Sequence, residues 1–273
     1  MKYLNHFFMI TIMWYSLINT YFEQEKRPLN TILPTDTLES IWNEIPYLDN
    51  NSLVIFDRDD TLLRSIDSLC PEDRIEFSKL WKEVYTTEKT DEEREQFLKT
   101  INTVQPSLID HDSPRLIKTL QEKKIPTLMV TGAFHGQNNI GFVQDLCIAH
   151  LQKAGINLKT SFEQLEKTIL DTGESLDVMP LFMDGIIFSS SSTKGKALET
   201  FLKKISWHPN KIIFIDDKMH YLQSVQKSAQ QLDIPFLGLH YRRAYKLPRP
   251  NLQELVVNMH YFIMRDIISQ VSP

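Results

Sequence analysis

Asp57-Arg58-Asp59-Asp60-Thr61 follows directly on the apolar run Leu53-Val54-Ile55-Phe56. A short apolar run bounded by polar residues reads as a buried strand, and this one opens into a loop with two carboxylates separated by a single residue. Open α/β sheets bind ligands at the carboxyl ends of their strands. There, one carboxylate can attack an electrophile while the next but one handles a proton, and the two are close enough to share a divalent cation. The same residues also fit a strand that ends in an Asx turn, with Asp59 or Asp60 holding the backbone. Taken alone, the loop leaves both readings open.

Upstream of the loop, Asp36 and Glu39 read as a capping box ahead of Leu38, Ile41, Trp42 and Ile45, which share one helical face. Residues 27–34 read as a Pro-containing linker, so the folded domain is expected over residues 35–273, behind an apolar segment at 1–22. Downstream, residues 64–112 are rich in charge, with Pro71 opening one helix and Thr90 and Glu93 forming a capping box for another. This pattern predicts a small helical cap inserted after the first strand; a solvated excursion is the plainer alternative.

Ser113-Pro114 signals a helix reaching Lys123, followed by a strand over 126–130 that closes in Thr131-Gly132. Ile140, Val143, Cys147, Leu151 and Ala154 recur at helical spacing before Gly155. Asp184-Gly185, between the apolar runs 179–183 and 186–188, reads as a hairpin turn whose second arm is a core strand. Thr193-Lys194-Gly195-Lys196 opens a helix with Leu198, Phe201, Leu202 and Ile205 on one face, and a strand over 211–215 then ends in Asp216-Asp217. Leu222, Val225, Ala229 and Leu232 mark a further helix, Pro235 introduces a strand over 236–241, and residues 252–268 carry the spacing of a terminal helix. This alternation predicts an α/β protein, Rossmann-like, with a central parallel sheet flanked by helices.

With 273 residues, 42% apolar and 24% charged, the chain has the make-up of a globular protein, and its net charge of −5 with no polybasic tract gives no general attraction to nucleic acid. Cys70 and Cys147 are too far apart for a CxxC motif and are read as free thiols. At the amino terminus, Lys2 precedes an apolar stretch over 7–18 interrupted only by Thr11 and Ser16. Its length suits a signal-peptide core better than a membrane span. The single early lysine and the lack of a small-residue cleavage site before Tyr21-Phe22-Glu23 keep an ordinary apolar helix open, so export and a cytoplasmic location both stand.

Parallel strands bring their carboxyl ends to one edge, which here gathers Asp57 with Asp59, Thr131, Lys194 and Asp216 with Asp217. Phosphoryl transfer needs a nucleophile in line, donors for the nonbridging oxygens, a cation and an acid for the leaving oxygen. Thr131 Oγ and the Gly132 amide can donate to phosphate, Lys194 adds positive charge at a helix start, and Asp57 and Asp216 suit Mg²⁺. In this order, Asp57-Arg58-Asp59-Asp60-Thr61, Val130-Thr131-Gly132, Lys194-Gly195 and Ile215-Asp216-Asp217 resemble the haloacid dehalogenase superfamily over most of residues 50–241. The long spacer with 151–156 and 184–188 resembles a bacterial subfamily of uncharacterised members known only as a domain of unknown function (DUF2608-like).

The superfamily resemblance implies Asp57 as nucleophile and Asp59 as general acid and then base, with Thr131 and Lys194 binding phosphate. It further implies that Asp57, the backbone carbonyl of Asp59 and Asp216 coordinate Mg²⁺, with Asp217 a ligand or its neighbour. The expected activity is that of a magnesium-dependent phosphatase acting on a phosphorylated small molecule or phosphopeptide. A phosphomutase and an exported or membrane-associated interaction protein using the fold as a scaffold are the alternatives. His135, Lys196, Arg242 and Arg243 are left outside the site, Asp60 is read as a loop-stabilising residue, and His111-Asp112 as part of the hinge to the insertion.

Overall fold

The computed structural model describes residues 30–64, 90, 107–138 and 141–248. The expected apolar segment at 1–22, the bulk of the helical cap at 64–112, the terminal helix at 252–268 and Cys70 lie outside these residues. The run that precedes the Asp57 loop forms strand β2 (Ser52–Phe56), every residue of which is buried. It sits in the middle of an eight-stranded sheet of order β1-β10-β9-β2-β3-β8-β7-β6. The other strands are β1 (Thr31–Thr35), β3 (Thr127–Thr131), β6 (Thr168–Ile169), β7 (Leu181–Met183), β8 (Ile186–Phe188), β9 (Lys211–Asp216) and β10 (Phe236–Tyr241). Two short segments, β4 (Gln137–Asn138) and β5 (Gly141–Phe142), form a separate antiparallel ribbon. From β1 to β8 neighbours are parallel, whereas β8-β7 and β7-β6 are antiparallel.

A central parallel strand is covered on both faces, which is why these strands read as continuous apolar runs. Successive side chains alternate between the faces. Val54, Phe56, Met129, Ile213 and Ile215 join one apolar cluster, which includes Leu116, Ile117 and Leu120 of helix α2 (Ser113–Glu122) and Cys147 and Leu151 of α3 (Val143–Lys153). Leu53, Ile55, Leu128, Val130, Ile212 and Phe214 join the other, against α4 (Lys194–Lys204) and α5 (Met219–Gln231). The expected α/β architecture with helices on both faces is therefore present.

Local signals explain several elements. Thr193 caps α4 by accepting a hydrogen bond from the Lys196 amide, 3.2 Å away. Asp184 and Gly185, with φ of 49° and 78°, make the hairpin turn between β7 and β8, as the Asp-Gly pair predicts.

Two expectations are corrected. Residues 31–35, within or just beyond the expected linker, form β1, which pairs with β10 at the sheet edge. A short edge strand tolerates Pro34 because only one side of it pairs, and that is also why its sequence does not read as a strand. The capping box at Asp36 and Glu39 does not form: the short helix α1 (Glu39–Trp42) begins after Leu38 with no side-chain cap. The Asp36 carboxylate instead meets Lys246 at 2.5 Å and Arg242 at 3.5 Å, so two cations from the far end of the chain outcompete the local amide.

Gly195 lets α4 approach α5. A Cβ built on it would lie 2.1 Å from the Ser224 carbonyl oxygen, a backbone atom that cannot swing aside. We expect Gly195→Ala to lower unfolding free energy by about 1–3 kcal/mol, measured by urea denaturation, with Ala substituted at the exposed Lys118 of α2 nearly neutral.

Candidate functional site

Four adjacent strands deliver the site. In the sheet order β9-β2-β3-β8, Phe56 of β2 is opposite Ile215 of β9, and Thr131 of β3 is opposite Phe188 of β8. The next residue after Phe56 is Asp57, whose amide donates to the Ile215 carbonyl at 2.9 Å. The last residue of β9 is Asp216, and Lys194 opens α4 shortly after β8. The register thus forces Asp57, Thr131 and Asp216 to one edge, as the parallel arrangement predicts.

Lys194 is the hub. Its side chain is fully buried, and its ammonium donates to Asp57 Oδ1 and, at 2.8 Å, to Asp216 Oδ2. It also lies 4.1 Å from the centre of the Tyr221 ring, a cation–π contact. Asp216 Oδ1 accepts from the Lys218 amide at 2.7 Å, which turns the chain after β9. Lys196, two residues on, points elsewhere and faces Glu199 at 3.7 Å. The lysine directly before Gly195 is therefore the one that reaches Asp57.

One oxygen from each of Asp57, Asp216 and Asp217 lies within 4.8 Å of the others, and all three side chains are buried. Three carboxylates against one ammonium leave a formal surplus of two negative charges. Burial, and then the charge of Asp57, push Asp217 up to about 6. Burial followed by Asp57 holds Asp216 well above the usual carboxylate range despite Lys194. Asp57 is raised by burial and then by Asp59, with Lys194 opposing. Burial works against the Lys194 charge, but Asp57 and Asp216 outweigh it and its affinity for its proton rises. Asp217 Oδ1 is buried without a hydrogen-bond partner among the described residues, and its Oδ2 accepts from the Tyr245 hydroxyl at 2.8 Å.

Asp59 stands apart. Its side chain is 37% exposed and sits 3.7 Å from the Arg58 guanidinium, so its carboxylate is on the solvent side of the loop and outside the acidic cluster. Asp60 is buried with φ of 58°, and its amide donates to the Leu63 carbonyl at 2.8 Å. That left-handed turn matches its expected loop-holding part. Thr131 Oγ1 accepts from the Ala133 amide at 3.2 Å, and the Thr131 carbonyl accepts from the amide and hydroxyl of Ser189. Gly132 packs closely under Tyr221: a Cβ there would be 2.9 Å from Tyr221 Oη, which would have to shift.

Ser189, Tyr221 and Tyr245 escape a sequence reading. Ser189 directly follows β8 and fits the strand-end rule, whereas the two tyrosines act across long sequence separations that leave no local pattern. His135 meets the Met179 carbonyl at 2.7 Å, Arg243 faces Asp110 at 3.4 Å and Arg242 faces Asp36. Each of these contacts lies outside the acidic cluster. Asp112 accepts from Trp42 Nε1 at 2.9 Å and pairs with Arg115.

A largely parallel, helix-wrapped sheet with a buried lysine and three carboxylates at its strand ends defines an α/β protein with a charged strand-end site. Residues 34–272 match the family described as "Protein of unknown function (DUF2608)", and the chain belongs to that family. It is 26% identical over 184 residues to an uncharacterized protein of Rickettsia felis, a match covering 65% of this chain and 60% of that protein. The aligned part thus spans less than two thirds of the rickettsial relative. A Chlamydia trachomatis protein described as "Putative outer membrane protein" is 27% identical over 246 residues, 87% of each chain. No solved structure matches.

Removing the Lys194 charge strands two buried carboxylates. We expect Lys194→Met to cost about 3–5 kcal/mol in metal-free protein, read by chemical denaturation. Adding Asp57→Asn to it should return part of that loss; a double variant as unstable as the sum of the singles would show that the pair is not coupled.

Proposed function

We propose that this protein is a magnesium-dependent phosphatase that cleaves a phosphomonoester through an aspartyl-phosphate on Asp57, on the haloacid dehalogenase plan that its motifs resemble. The observation that carries this reading is the fully buried Lys194 ammonium between Asp57 and Asp216. A structure seldom buries an ion pair for stability alone, because the desolvation cost rivals the attraction, and such groups concentrate at reactive sites.

The residues fit a divalent cation. The acidic cluster carries more negative charge than Lys194 neutralises, all its donors are hard oxygens, and Asp217 keeps a buried oxygen with no partner among the described residues. Asp57, Asp216 and Asp217 would hold Mg²⁺ by side chains, and Asp59 by its backbone carbonyl. The ion's contribution is to reduce repulsion between Asp57 and an anionic phosphoryl group.

The chain supplies the rest. An Asp57 carboxylate oxygen attacks phosphorus as the bond from phosphorus to the leaving oxygen breaks, and Asp59, entering as the carboxylic acid, protonates that oxygen. Asp59, now a carboxylate, takes a proton from water while the water oxygen attacks the aspartyl-phosphate. The bond to Asp57 breaks, inorganic phosphate leaves, and both residues recover their starting states. Lys194 orients Asp57 and offers positive charge to the phosphoryl oxygens. Thr131 Oγ1 accepts from Ala133, which leaves its O–H to donate to phosphate beside the Gly132 amide. The exposure of Asp59 suits a group that must meet both a leaving group and water, whereas the burial of Asp57 suits a fixed nucleophile.

Phosphate release with Mg²⁺ over aryl phosphates, sugar phosphates, nucleotides and phosphopeptides tests the reading. Wild type should turn over at least one class, and Asp57→Asn should lose about three orders of magnitude or more. Wild-type protein inert on every class, or Asp57→Asn as fast as wild type, would sink it. For Asp59→Asn the expected loss is about 10²–10⁴-fold with poor leaving groups and much smaller with nitrophenolate, which needs little protonation. Equal losses for the two would remove Asp59 from the acid role.

A further inference from the structure

The segment that follows β10 touches the acidic cluster at one point and the base of the insertion at several. Helix α6 (Arg243–Lys246) carries Tyr245, whose hydroxyl donates to Asp217 Oδ2 at 2.8 Å and lies 3.3 Å from the Asp217 carbonyl oxygen. His240 also meets that carbonyl, at 2.9 Å. The Tyr245 residue is 63% exposed, so its ring contributes little to the core and its hydroxyl is its one specific attachment among the contacts described. On the other side of α6, Arg243 Nε donates to the Ile109 carbonyl at 3.1 Å and faces Asp110 at 3.4 Å. Arg64 donates to the Pro248 carbonyl at 2.9 Å. Arg64 and Ile109 belong to the two chain crossings that meet at the Leu63–Leu108 bridge.

We propose that Tyr245 is a positioning residue for Asp217, holding one carboxylate oxygen so that the other is presented to a divalent cation, and that Arg243 anchors the helix that carries it. The inference rests on the metal site of the proposed function but not on the phosphatase chemistry. Its geometric basis is the division of the Asp217 carboxylate: Oδ2 is fixed by Tyr245, while Oδ1 is buried with no partner among the described residues. An unheld carboxylate would rotate and lose entropy on each binding event. Partners of this kind, one bond removed from the ion, set ligand orientation and are worth about ten- to hundred-fold in metal affinity.

The test is Mg²⁺ titration of the full chain by calorimetry, with wild type, Tyr245→Phe and Arg243→Ala, beside melting curves of the metal-free proteins. Tyr245→Phe keeps the ring and removes only the hydroxyl. Its Mg²⁺ dissociation constant should rise by about ten-fold, with the metal-free melting temperature close to wild type; Arg243→Ala should shift the constant the same way by a smaller factor. Where either variant melts early, the titration is run below both transitions, so that affinity is read from folded protein. Tyr245→Phe binding Mg²⁺ as tightly as wild type overturns this inference alone. Wild type that binds Mg²⁺ but releases no phosphate from any ester overturns the phosphatase and leaves Tyr245 in place. Wild type that takes up no Mg²⁺ overturns both the metal site and the role of Tyr245.

Discussion

The ammonium of Lys194 between Asp57 and Asp216 is the contact on which the rest of the site depends. Removing an ion from water costs several kcal/mol, recovered only when partners meet it in good geometry. Here each partner is set by a different piece of the fold. Asp57 is placed by the β2–β9 register, Asp216 by the end of β9, and Lys194 by the start of α4. α4 can bring its first turn to the sheet edge because Gly195 accepts the Ser224 backbone at contact distance. A small residue buried between two helices thus controls where a charge sits at the end of a strand two positions away in the sheet.

That dependence explains why the motifs could be read together although each is weak by itself. Buried parallel strands leave apolar runs in the sequence, so β2, β3, β9 and β10 were legible, and their shared direction predicts that Asp57, Thr131 and Asp216 meet. The Asp184-Gly185 turn was legible because its backbone needs positive φ twice. What the sequence hid depends on partners far along the chain. β1 is an edge strand with Pro34, half exposed, and nothing local marks it. Asp36 looks like a cap, yet Arg242 and Lys246 claim it. Tyr245 has no pattern at all, since its role exists only once β10 has returned beside β9.

The two carboxylates of the opening loop end up in different environments for a reason that the alternation of a strand does not supply. Asp57 continues β2 and keeps its amide bonded to β9, so it remains within the sheet's low-dielectric edge. Asp59 lies beyond the last ladder bond, in a loop turned by the left-handed Asp60, and faces Arg58 and solvent. Groups with environments this different take different parts in acid–base and nucleophilic chemistry. The turn at Asp60 is made by its left-handed backbone and its amide bond to Leu63, and it separates Asp57 from Asp59.

Charge balance ties the loop to the remaining acid. With Lys194 committed to Asp57 and Asp216, no part of its positive charge is hydrogen-bonded to Asp217, which accepts from the neutral Tyr245 hydroxyl and has only the weaker pull of the Lys218 charge beside it. Burial and the Asp57 charge both press on Asp217 to keep its proton. A hydroxyl can orient a carboxylate but cannot neutralise it, so the Asp217 side of the cluster keeps more of the surplus negative charge than the side where Lys194 meets Asp57 and Asp216. A dication held there, as proposed above, would offset that surplus without displacing Lys194 from Asp57.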